Sequence, residues 1–206
     1  MSGGPSSTKP TNLSPLTIEF TICTNVPDVA AHLLHELLHW KVHMLGFPYP
    51  VRFFDPSWFP MIVNEIFHSI FFAEFIACGF SPASFLFECE DETDKWIEDA
   101  RTNLSDPNKV SDERWQTTCK YLSYLIAGET TTLDVADKFR VQAIGLMPDI
   151  EPAFDFVKDW LRRKEFHDPA HFANSFTELG NRVRPPYVKF GMVKKTPNGV
   201  EIATDN

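Results

Sequence analysis

The chain has little that suits a nucleic acid, a membrane or a disulfide scaffold. Lysine and arginine total 19 against 28 aspartates and glutamates, a formal net charge of −9 over 206 residues. That balance excludes non-specific binding to nucleic acid or an anionic membrane as the main task. No apolar run reaches the length that spans a bilayer; the densest, residues 66–80, is interrupted by His68, Ser69 and Glu74. The four cysteines, Cys23, Cys78, Cys89 and Cys119, show no C-x-x-C spacing, and no secretory signal is read ahead of them. They are expected as small buried hydrophobes in a reduced cytosol or nucleus. There is no internal repeat, no Gly-rich phosphate loop, no G-x-S-x-G and no paired-carboxylate constellation. Most nucleotide and acyl-transfer chemistries therefore lack their residues.

What is present is aromatic surface and histidine. Nineteen phenylalanines imply a Phe-rich core or a wide apolar interface. Residues 31–45, AHLLHELLHWKVHML, contain His35-Glu36-Leu37-Leu38-His39, a match to the H-E-x-x-H zinc signature, flanked by His32 and His43. At about 100° per residue, Leu33, Leu34, Leu37, Leu38, Met44 and Leu45 share one arc and the four histidines the opposite one. The expectation is that the leucine arc packs on a core, with Lys41 reaching past it to water, and that the histidine stripe faces out. A zinc peptidase would use His35 and His39 as ligands, Glu36 as general base and Glu65, from Asn64-Glu65, as third ligand. The other reading, with no metal and no cofactor, is a polar stripe facing solvent or a partner.

Along the chain, residues 1–14 are Ser/Pro/Gly-rich and expected as a disordered tail. Leu16 to Cys23 alternates as a strand. Asn25 or Thr24 is expected to cap the histidine helix, with Pro27 in its first turn and an end near Gly46. Phe47-Pro48-Tyr49-Pro50 reads as an extended exit. A second helix is expected from Ser57 to about His68, then a β-hairpin from residues 70–78 and 84–90. Residues 91–110 read as an acidic loop with one helical turn around Trp96. Ser111 is expected to cap a third helix that buries Trp115, Thr118, Cys119, Leu122, Leu125 and Ile126, with Tyr121 and Tyr124 on its flanks. Residues 138–147 read as a strand and residues 150–165 as a fourth helix ending in a basic run. His171 and Phe172 fall in a weakly structured stretch. Pro197-Asn198-Gly199 is the turn of a C-terminal hairpin.

This order predicts an α+β fold, helices packed on a mostly antiparallel sheet with a C-terminal strand segment. Four patches then resemble, in order, the comet family of HORMA-like adaptors that bind the spindle-checkpoint protein Mad-two. They are LLHELLHWKVHMLGFPYP, FIACGFSPASFLFECE, TTCKYLSYLIAGET and Asp159-Trp160-Leu161-Arg162-Arg163-Lys164. The chain departs from that family in a short segment after the first helix, in Arg163 where the family has proline, and in its C-terminal segment.

The resemblance implies a single HORMA-like domain over residues 15–206, with a segment like the safety belt over about 166–206. It implies no catalytic residues and no cofactor. It implies an adaptor that binds the closed conformer of Mad-two and presents it to a HORMA-remodelling AAA+ ATPase, so that checkpoint complexes disassemble in mitosis or meiosis. The implied setting is nucleus and cytoplasm, at kinetochore or spindle. By position, Tyr124 or Tyr121 would grip the partner, with Trp40 or His43 adding a contact late in the first helix. Lys164, beside Arg163, matches the lysine near the ATPase.

Overall fold

The computed structural model describes residues 28–52, 59–85, 91–130, 135–183, 190–196 and 199–204. The expected tail 1–14, the strand Leu16–Cys23 and the hairpin arm after Phe85 lie outside these residues.

The histidine helix, α1, runs Val29–Met44. Its cap is Asp28 rather than Asn25 or Thr24: the Asp28 carboxylate accepts a hydrogen bond from the Ala31 N–H at 3.0 Å. That satisfies one of the four N–H groups a helix start leaves open. The helix ends as expected, with Leu45 as cap and Gly46 at φ +89°, a conformation that costs other residues a steric clash.

Phe59–Ala77 forms one 19-residue helix, α2. The run expected as a strand over 70–78 is the second half of this helix. Nothing between Pro60 and Gly79 breaks the ladder, and Gly79 ends it at φ +94°. A 3-10 turn, Pro82–Ser84, follows where the hairpin was expected to continue. The acidic stretch is also more ordered than expected: Thr93–Asn103 is α3.

Val110–Thr130 is α4, the central element; it packs on α2, on α3, on α5 (Ala136–Leu146) and on α6 (Glu151–Arg163). The alternation that suggested a strand over 138–147 is helical in α5. Lys164 caps α6 in the left-handed region, φ 57°. The stretch read as weakly structured is a 3-10 turn, Glu165–His167, and α7, Pro169–Val183. Trp160 stacks on Phe166 at 4.4 Å and donates its indole N–H to the Ser175 carbonyl, which fastens α7 to α6.

Among the described residues, strands are confined to a three-stranded antiparallel ribbon in the order β1-β2-β3: β1, Tyr49–Arg52, β2, Phe190–Thr196, and β3, Gly199–Thr204. The expected C-terminal hairpin is there, with Thr196 opposite Gly199, and β1 joins it with Tyr49 opposite Val193.

The α+β expectation is overturned. The body of the chain is helical, its helices pack on one another, and a HORMA fold of helices on a sheet is not what these residues build. The physical reason is continuity: Phe-rich runs that suit a strand also suit a buried helix when no glycine or proline interrupts them. The core that results is aromatic. Phe67, Phe75, Phe139, Phe154 and Phe172 are buried, and Phe67 meets Phe172 of α7 at 5.7 Å. Each such side chain contributes roughly 1.5–3 kcal/mol on burial.

Candidate functional site

The faces of α1 are largely the reverse of the expectation, although Leu38 of the expected apolar arc is buried and Leu34 packs partly against the core. Ala31, His32, Glu36, Leu38, His39 and Val42 are buried, while Leu33, Leu37, Met44 and Leu45 are exposed. Val29 joins them at 43 %, and Met44 reaches 76 %. Trp40, half-buried, falls between these residues on the helical wheel. Val29, Leu33, Leu37, Trp40 and Met44 thus line an outward arc of about 80°. Lys41, also outward, is ion-paired with Glu74 of α2.

The inner face meets α2. His35 Nε2 lies 3.1 Å from His39 Nε2 and 3.0 Å from His68 Nε2. One turn of α1 brings the first two together, and His68 comes from α2. Metal-ligating atoms of the three all lie within 4.8 Å of one another. Behind this cluster, His68 Nδ1 faces Glu65 Oε2 at 3.3 Å, and the Asn64 Nδ2 amide donates to His68 Nε2 at 3.1 Å. The Phe85 backbone acts on the His35 ring in the sense that favours its protonated form. Phe71 stands edge-on to all three rings at 4.8–5.8 Å, and Phe85 packs on His35 and His68.

Burial dominates the electrostatics. It pushes His35 down to about 3, helped by His68 and His32, and pushes His39 well below 6.5, helped by His68, His35 and His43. Both rings are therefore neutral at pH 7, each with one unprotonated nitrogen. Burial raises Glu36, with His68 pulling the other way.

The residues singled out from sequence are distributed unevenly. His35 and His39 do converge, but Glu65 stands behind His68 and supplies no ligand to the convergence point. The third imidazole is His68, which the sequence marks only as the end of a helix and an interruption of an apolar run. Glu65-x-x-His68 at helical spacing is the signal that could have found it.

The two tyrosines expected to grip a partner are buried: Tyr121 stacks on Phe154 at 4.2 Å, and the Tyr124 hydroxyl accepts from the Glu92 N–H at 3.1 Å. His43 is half-buried beside Phe67. Lys164 pairs with Glu129, and Arg163 with Glu178 and Glu165, all partly exposed. Among the described residues, Cys78 is exposed and Cys119 buried, both as free thiols. No described helix is long and apolar enough to cross a membrane.

Set against known proteins, the chain matches no family model, no curated protein and no solved structure.

Proposed function

We propose that the chain is a non-enzymatic adaptor whose contact surface is the outer face of α1. The observation that supports this is the apolar arc Val29, Leu33, Leu37 and Met44, exposed on a helix that turns His32, Glu36 and His39 inward. Scattered exposed leucines are ordinary, but a contiguous helical stripe is the form that helix-in-groove docking takes. Trp40 lies within the arc, and tryptophan is among the residues that most often dominate an interface.

The partner to which the comet-like patches point is the checkpoint protein Mad-two in its closed form, handed on to a HORMA-remodelling AAA+ ATPase. Under this reading Trp40 or His43 keeps the contact role the resemblance implied. Tyr121 and Tyr124 serve packing instead, because neither reaches the surface. Lys164 and Arg163, on the exposed cap of α6, are the ATPase-side candidates.

The test is titration calorimetry of closed Mad-two against the full chain and against Leu37→Glu and Trp40→Ala. Loss of binding in both variants, with an unchanged melting temperature, supports the reading. Absence of binding by the unaltered chain ends it.

A further inference from the structure

We propose that His35, His39 and His68 jointly hold a divalent cation of the zinc class, which clamps α1 to α2 from the inner side. This goes beyond the docking reading and does not depend on it, since the docking arc lies on the opposite face of α1.

The argument starts from donors and acceptors. Glu65 offers His68 Nδ1 a carboxylate oxygen, which can only accept, so Nδ1 carries the hydrogen. The Asn64 amide donates to His68 Nε2, so that nitrogen presents its lone pair. His35 Nε2 is the atom turned toward the other two histidines, 3.1 Å from His39 Nε2 and 3.0 Å from His68 Nε2. Three imidazoles from two helices thus converge on one largely buried point. A cation there would take the His68 lone pair in place of the Asn64 amide, which is exposed and can turn to water instead.

The geometry fits the ion. With Zn–N bonds of about 2.0–2.1 Å, tetrahedral ligand atoms stand about 3.3–3.4 Å apart. Two of the nitrogen pairs, at 3.0 and 3.1 Å, need only a few tenths of an ångström to reach that spacing. The outer contact is also that of a metal site. The back of His68 bears on the Glu65 carboxylate, and such a contact fixes the tautomer that leaves Nε2 to ligate. Three imidazoles select zinc, cobalt, nickel or copper over calcium or magnesium, which prefer oxygen. Asn64, exposed beside His68 Nε2, marks the side on which a water completes the coordination.

The experiment uses the full chain purified without chelator, with metal content measured by mass spectrometry and cobalt(II) substituted for spectroscopy. The expected result is stoichiometric metal and a visible ligand-field spectrum of tetrahedral nitrogen coordination. Zinc should raise the melting temperature of the apo protein. Glu65→Gln keeps all three ligands and should lower metal affinity by about 10–100-fold while stoichiometry is retained at saturation. His68→Gln should abolish binding, with its folded state checked by circular dichroism. Three results would overturn the proposal: a folded chain that takes up no cobalt, a sulfur-to-cobalt charge-transfer band placing the metal on cysteine, or a folded His68→Gln that binds as tightly as the unaltered chain. In the first case an N–H···N hydrogen bond between neutral rings accounts for the short contact. None of these results bears on partner binding to the outer face.

Discussion

His68 Nε2 sits 3.0 Å from His35 Nε2, although 33 residues separate them along the chain. With it α1 turns His35 and His39 toward α2, together with Ala31, Leu38 and Val42, and leaves Leu33 and Leu37 facing away. Counting leucines alone puts Leu33 and Leu37 in the core instead, because their burial would remove apolar surface from water.

The two faces of α1 should respond differently to substitution. Leu38→Ala, on the inner face, is expected to cost about 2–5 kcal/mol, as cavity formation in a packed core does. Leu33→Ser and Leu37→Ser, on the outer face, should stay within about 0.5 kcal/mol of the parent. Urea denaturation of the three variants checks this. Equal and large losses at all three positions would mean that the leucine arc is covered.

Tyr124 is expected to behave as a core residue. Tyr124→Phe removes only the hydroxyl that accepts from the Glu92 N–H and should cost about 1 kcal/mol. Tyr124→Ala empties a buried ring site and should cost about 3–5 kcal/mol, the range for large aromatic truncations. Partner binding should survive Tyr124→Phe. If that variant keeps its stability yet loses the partner, Tyr124 makes a direct contact and its burial here is not the binding state.

Glu113 gives a pH signature. Its carboxylate is buried between Asn103 and Thr117, and burial raises its pKa above 4.5 despite both hydrogen bonds. A raised carboxyl pKa means the folded state holds the proton more tightly than the unfolded state. The contribution to stability is therefore fully present below 4.5 and is lost as pH rises through the folded pKa. Glu113→Gln should remove this slope, so that its stability gain over the parent is larger at pH 7 than at pH 4. Paired thermal melts at the two pH values measure it, and a gain independent of pH would contradict the assignment.

Some of this architecture was legible in the residues and some was not. The end of α1 at Gly46 and the hairpin around residues 197–199 follow from local backbone chemistry, and local chemistry is what a sequence displays. The second half of α2 does not, because IFFAEFIAC satisfies a strand and a buried helix equally. Only its continuity with the turns before it decides. Lys138 to Met147 fails for a related reason: its alternation is real, yet Phe139 and Ala143 are one turn apart and both point into the core of α5. His35 and His39 were visible as a pair, but the role of His68 depends on how α2 lies against α1. Glu65 meets His68 Nδ1 and is not among the three converging imidazoles, and which side of His68 it takes is a tertiary fact.

The central claim is that α1 turns a polar face inward and an apolar face outward to a protein partner. The most direct measurement is the affinity of closed Mad-two for the full chain and for Leu33→Glu/Leu37→Glu, each with its melting temperature. The account predicts at least about a tenfold loss, equal to 1.4 kcal/mol, with the melting temperature unchanged. Binding that is unaffected by two charges on the outer face would contradict it.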